Sequence, residues 1–537
     1  MKNKIKLMFL AGILGSTGLS AQRSVDLDNY VALFPDPSWS FYANPLWQYW
    51  DDWQPGGKYE PGHFTEDDNF FIARTRMHKR FYNSKTQVNP NLKAENGRNV
   101  FWWQPISYGD KELIGHQIYS MKNDNFSMWQ YLKTHGNWNQ EFFRVDGCFS
   151  DACFKNGVRN GVLMFMDQAE GGGTINYESP GSNKHAKILQ TLMRKDAQGN
   201  FTEVEKLIKI LRYYGISGLT FNPEASMTAN TARTLQDFLL ACRKEAEKQG
   251  WGDHWYVGWY DGMTNTGGHS FGGNALTNDR IDWFRHPVET NQAIVDHWFL
   301  NYNHYENQLK GSVTIANSVG RNSYEVYAGQ HIGGRGLGTN WSNIEKYEVS
   351  VGTWGEHGAN NIYGSCRGDS PLEFSKDYLK KLEMFFSGGN LNPANCPTQW
   401  TADRAAISDE NLKQFPGMAK MMPAQSVLSE LPFITRFSLG NGANLYTDGE
   451  LSNGFSWYNI GMQDYLPTWR WWITDASGNV PTKSIKCELS FDDAYSGGSA
   501  LKLQGATPYS HIRLFKTKFA VDPAYTSSIT YKVVNGV

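Results

Sequence analysis

Between residues 202 and 261 the pattern of apolar and polar positions changes period three times. Val204, Leu207, Ile208 and Leu211 recur at helical spacing. Thr202 and Glu205 stand three apart at the head of that stripe, which predicts a capping box with Thr202 at the cap. Gly215 then supplies a C-terminal stop. Residues 215–224 read as a buried strand. Leu235, Phe238, Leu239 and Cys242 mark a second amphipathic helix, ending near Gly250. An aromatic strand follows, from Trp255 to Asp261. Helix, strand, helix, strand is a repeating parallel α/β unit.

Further strands are predicted on both sides. Asn99–Gln104 and Gly161–Met166 are short runs rich in apolar residues, as parallel sheets require. Ile294–Asn303, Tyr324–Ile332 and Ser350–Trp354 are further candidates. Residues 22 to about 95 are expected to hold a first strand and long loops. The count approaches eight, so the predicted fold is α/β: a (β/α)8 TIM barrel over residues 22–430. After about residue 430 helical periodicity stops. Ala500-Leu501-Lys502-Leu503 alternates beside the Gly-rich turn Ser496-Gly497-Gly498-Ser499. That predicts a C-terminal β-sandwich accessory domain over 431–537. Ser528–Val534 reads as a strand in progress, so a truncated chain or an incomplete last domain is expected.

Length and charge narrow the picture. A chain of 537 residues holds a barrel plus an accessory domain. Lys2, Lys4 and Lys6 precede an apolar run from Leu7 to Leu19, and Ala21 offers a small residue before a cut at Gln22. This predicts a signal peptide over 1–21 and an exported protein: periplasmic, cell-surface or secreted. The apolar run is short for a membrane span and no later stretch qualifies, so no span is expected. Loss of those three lysines takes the formal charge from −2 to −5, which speaks against nucleic-acid partners. Cys148 and Cys153 are close enough to close a small loop, and the sequence leaves their pairing open. Cys242 is expected as a buried thiol. With neither a CxxC pair nor HExxH, no metal site is expected. Aromatic residues make up 14% of the chain, which fits a glycan-active protein. Any single Trp serves packing at least as readily.

The candidate chemistry lies where the strand at 215–224 ends, in Asn222-Pro223-Glu224. Barrels build active sites at the carboxyl ends of their strands. Residues two apart on a strand share a face, so an amide and a carboxylate would stand together there. Most glycosidases use two carboxylates. One carboxylate with one amide fits the substrate-assisted exception, in which the sugar's own 2-acetamido oxygen attacks the anomeric carbon. Glu224 is then the acid and base, and Asn222 orients the acetamide. Pro223 stiffens the pair and marks the strand's end.

Trp259-Tyr260-Asp261 closes the next strand. This succession resembles the endo-β-N-acetylglucosaminidases of glycoside hydrolase family 85. Cys153–Val158 with Gly161–Leu163, Phe299–Tyr302, Gly334-Arg335-Gly336, Leu431–Phe437 and Trp457–Pro467 resemble family segments in the same order. The resemblance spans roughly residues 95–475. It implies a retaining cut between the two GlcNAc residues of the N-glycan core, on N-linked glycans or glycoproteins, with no metal or organic cofactor. It implies that Glu224, Asn222 and Tyr260 are catalytic. It places Trp259, Asp261, Asn301, Tyr302, Arg335 and Trp354 against the sugar. Two positions depart from the family pattern: His331 replaces an acidic residue and Gly262 replaces Ser. Two rival readings stand beside it. A chitinase-like family 18 barrel would carry Asp at positions occupied by Gly218, Thr220 and Asn222. An inactive glycan-binding barrel would keep the fold alone.

Overall fold

A computed structural model describes residues 50–51, 72–83, 87–89, 91–92, 97–104, 121, 125–141, 145, 147–166, 174–180, 184–271, 273–332, 340–355, 368–400, 409–505 and 510–534. The segment read as a signal peptide, 1–21, lies outside them.

Eight strands close into a parallel barrel: β1 Val100–Gln104, β2 Leu132–Glu141, β3 Arg159–Met166, β4 Gly218–Pro223, β5 Val257–Tyr260, β6 His297–Phe299, β7 Val326–His331 and β8 Ser350–Trp354. Each pairs with the next, and β1 also pairs with β8. The main helices between and after them are α1 Gly147–Lys155, α2 Lys184–Leu192, α3 Val204–Tyr214, α4 Ala229–Lys248, α5 Ile281–Phe284, α6 Glu306–Ser318, α7 Trp341–Lys346 and α8 Pro371–Ser387. Among the described residues no helix is long and apolar enough to cross a membrane.

The period-two alternation of the strands sorts the core into two layers. Val100, Trp102, Val162, Met164, Leu219, Phe221, Val257, Trp259, Trp298 and Val351 face outward. They pack against the apolar stripes expected from sequence, Leu207, Ile208 and Leu211 on α3 and Leu235, Phe238 and Leu239 on α4. Phe101, Trp103, Leu163, Tyr260, Phe299 and Tyr327 fill the barrel's interior. These rings fit because small residues face them. A Cβ at position 352 would come within 2.5 Å of the Phe299 ring.

One local expectation is corrected and others are met. Glu203, not Thr202, is the N-cap of α3, and no side-chain cap bond forms there. The Thr202 hydroxyl instead donates to the Glu203 carboxylate, 2.9 Å away. Gly215 does end α3, in the left-handed conformation with φ 74°. Cys148 and Cys153 both lie on α1 and are not bonded to each other. Five helical residues turn about 500°, which sets the two side chains on different faces and keeps them apart. Cys242 is a buried thiol.

After residue 430 the described residues form four two-stranded antiparallel sheets. β9 Asn441–Gly442 pairs with β12 Trp457–Tyr458, and β10 Leu445–Thr447 with β11 Glu450–Asn453. β13 Trp472–Thr474 pairs with β16 His511–Arg513, and β14 Lys486–Ser490 with β15 Ala500–Gln504. This region is built into the barrel. Tyr458 and Ile460 join the outer barrel core, while Leu379 of α8 packs with Leu439, Trp471, Ile473 and Leu489. Arg470 is fully buried and donates to the carbonyl and hydroxyl of Ser127 (2.5 and 2.6 Å). Its Nε lies 3.7 Å from Glu383 on α8.

Candidate active site at the carboxyl ends of the strands

Asn222 is the penultimate residue of β4 and is buried. On that strand Leu219 and Phe221 belong to the outer layer, so Thr220 and Asn222 face the interior. The Thr220 hydroxyl meets the Tyr256 hydroxyl at 3.1 Å, inside the barrel. Glu224 follows the strand and is only part-buried. Its amide donates to the Asn222 carbonyl and to the carbonyl of Met166, the last residue of β3, both at 3.1 Å. Pro223 is thus the centre of a tight turn that stays hydrogen-bonded to the sheet.

β5 is in register with β4 through Phe221 and Trp259. The next step sets Tyr260 beside Asn222. Tyr260 opens an aromatic wall along the mouth. Its ring centroid lies 5.4 Å from Phe271 and 6.1 Å from Tyr302. Tyr302 lies 5.5 Å from His331 and 6.0 Å from Trp354, and those two lie 4.8 Å apart. Asn301 is buried at the same end, directly before Tyr302.

The structure therefore brings together Asn222, Glu224, Tyr260, Asn301, Tyr302 and Trp354. It does not bring Trp259 or Asp261 to the mouth. Trp259 is one residue from Tyr260 and so points to the opposite face. It is fully buried and stacks on Trp283 of α5, centroids 4.2 Å apart. Asp261 is fully buried and ion-paired with Arg280 at 3.0 Å. Burial holds its carboxyl well above the usual carboxylate range, and the Arg280 guanidinium offsets only part of that. Arg335 lies outside the described residues.

Sequence reasoning missed Phe271 and His269, which the loop after β5 carries to this end, with ring centroids 4.5 Å apart. Burial lowers the His269 imidazole below its ordinary value. Nothing in the periodicity of that Gly- and Asn-rich loop marks them. In the sequence His331 stands out only as a departure from the family pattern. The Gly262 departure has a structural cause: a Cβ there would come within 2.5 Å of the Pro223 carbonyl oxygen. A separate cleft lies at the far end of the strands, lined by Arg80, Trp129, Asn156, Tyr465 and Thr468. Arg80 there holds the carbonyl of Leu132, the first residue of β2.

The model of Glycosyl hydrolase family 85 matches residues 114–445. The chain belongs to that family. It is 22% identical to the cytosolic endo-beta-N-acetylglucosaminidase of Homo sapiens over 361 residues, covering 65% of this chain and 41% of that protein. The protein of the same name from Mus musculus is 23% identical over 421 residues, covering 76% and 48%. The chain thus spans less than half the length of these curated relatives. Its fold matches the glycoside hydrolase domain of Endo-D from Streptococcus pneumoniae R6, with a TM-score of 0.71 and 22% identity over 88% of this chain and 68% of that one. Membership makes the chain one of a family of glycoside hydrolases.

The relatives overturn the expected location. These two, and the relatives from Danio rerio and Gallus gallus, are all named cytosolic, against the exported, periplasmic, cell-surface or secreted protein expected from residues 1–21. Three lysines followed by a short apolar run is a compositional signal, and it carries no information from the fold.

Proposed function

We propose that this family 85 chain is an endo-β-N-acetylglucosaminidase. It hydrolyses the GlcNAc-β1,4-GlcNAc bond of the N-glycan core by a retaining, substrate-assisted route. The observation that carries this reading is one amide and one carboxylate, Asn222 and Glu224, at the mouth of β4, with Tyr260 one strand over. Asn222 orients the 2-acetamido group so that its oxygen bonds to the anomeric carbon. The bond to the leaving sugar breaks as Glu224 gives its oxygen a proton. Tyr260 hydrogen-bonds the acetamide of the resulting oxazolinium. Glu224 then takes a proton from water, which opens the ring from the original face. Tyr302 and Trp354 offer ring faces to the sugars, with Asn301 as a polar contact. Arg335 is carried over from the family resemblance alone.

Residues 431–537 are read as a β-sandwich accessory region that supports the barrel, with the boundary near 430. Ile473 of one sheet and Leu489 of another bury a common apolar cluster with Leu501 and Ile512, which supports this.

Incubation with a high-mannose glycoprotein and, separately, with chitin oligomers tests the reading. Release of the glycan with one GlcNAc left on the protein is expected. Cleavage of chitin alone would favour a chitinase-like barrel. Binding without cleavage would favour an inactive one.

A further inference from the structure

Between β5 and α5, one guanidinium organises residues 261–271 and 273–280. Arg280 closes the segment at its two ends by pairing with Asp261, with Nε 3.0 Å from Oδ1; the two side chains are 4% and 0% exposed. Arg280 also donates to the Ser270 carbonyl at 2.8 Å, to the Thr277 hydroxyl at 3.1 Å and to the Asp279 carboxylate at 3.0 and 3.1 Å. The middle of the segment grips the chain on both sides of Glu224. The His269 amide donates to the Ser226 hydroxyl at 2.9 Å, and the Met227 amide to the Gly267 carbonyl at 2.8 Å. Gly262 lies against the Pro223 carbonyl. From the other side, the Ile175 amide donates to the Ser226 carbonyl at 2.8 Å.

We infer that residues 261–271 and 273–280 form a clamp that positions Glu224, set by the Asp261–Arg280 ion pair and transmitted through Ser226. The inference rests on the proposed acid/base role of Glu224. An unpaired buried carboxylate is costly, so the pair admits few arrangements and the loop inherits that definition. Catalysis is sensitive to such definition: a misplacement of about 1 Å costs on the order of 10²-fold in rate. Asp261, Arg280 and Ser226 are positioning residues, since none of them is placed against substrate.

The test uses the full chain and four variants: Arg280→Ala, Arg280→Lys, Ser226→Ala and Ser226→Thr. The readouts are kcat and KM per folded molecule, melting temperature, and amide hydrogen exchange. Arg280→Ala is expected to lower kcat about 10²-fold with KM little changed. Arg280→Lys is expected to speed exchange at 225–228 as well as at 262–271, leaving α6 unchanged. Ser226→Ala is the milder probe, in case Arg280→Ala does not fold. It should lower kcat with an unchanged melting temperature, and Ser226→Thr, which keeps the hydroxyl, should restore it. Wild-type kcat in folded Ser226→Ala overturns the clamp. So does faster exchange confined to 262–280. An inactive wild type would sink the functional reading instead, and exchange at 225–228 would still decide the clamp.

Discussion

The barrel and the region after residue 430 are held together in opposite ways. In the barrel every strand is hydrogen-bonded on both sides, and the interior is filled by rings from the strands themselves. After 430 the sheets have two strands each. Such ribbons are marginal alone and need another surface to bury against. Here that surface is the barrel, through Arg470, Trp471 and Gln463. The Gln463 amide group takes the Trp129 indole N–H at 2.6 Å and donates to the Phe126 and Leu439 carbonyls at 2.9 and 3.1 Å. Rate should therefore be set by residues at the barrel mouth, and stability by residues at the seam.

The sharpest division comes from Glu224→Gln. The amide is isosteric but neither gives nor takes the proton, so hydrolysis should fall by about 10²–10⁴-fold with an unchanged melting temperature. Near-wild-type turnover would remove Glu224 from the acid role. Asn222→Ala should cost about 10²–10³-fold on glycan, as loss of a group that stabilises developing charge does. A preformed sugar oxazoline should still react considerably, because the step that needs Asn222 is already complete. Equal loss on both donors would assign Asn222 another role.

At the seam the pattern should invert. Arg470→Ala leaves the buried Glu383 carboxylate without its cation, and loss of one buried partner costs about 3–5 kcal/mol. Chemical denaturation should show that loss, while kcat of the remaining folded protein stays near wild type. A fall in kcat without a fall in stability would erase the division.

The last effect is graded with pH, and it belongs to the barrel. His135 and His297 are buried neutral, their values lowered by burial from 6.5 to about 3, and His304 to about 4. The unfolded chain takes up these protons near 6.5, and the folded chain resists until about 3 or 4. Protons therefore favour unfolding throughout that interval. Melting temperature should fall as pH drops below about 6.5, and His304→Gln should flatten part of the slope. A flat profile between 6.5 and 4 would show that these imidazoles already titrate in the fold.

Much of this was legible in the sequence, because it depends on local period. The stripes on α3 and α4, the stop at Gly215 and seven of the eight strands follow from spacing. So does the placement of Asn222 and Glu224 at a strand end, since Pro223 marks that end wherever the strand sits. What spacing does not carry stayed hidden. β2, Leu132–Glu141, has Lys, Thr, His, Gly, Asn and Gln where a strand pattern would show apolar residues. It forms because its neighbours supply the rings: Phe101 and Trp103 lie over Gly136, while Phe126 and Phe149 pack on His135. Trp259 and Tyr260 look alike in sequence, and only closure of the barrel decides which faces its interior and which the helices. Asp261 reads as a sugar contact until the fold places Arg280 against it, nineteen residues along the chain. Local period is written in neighbouring residues. The inside of a barrel, and the partner of a buried charge, are set by segments that meet only after the chain has closed.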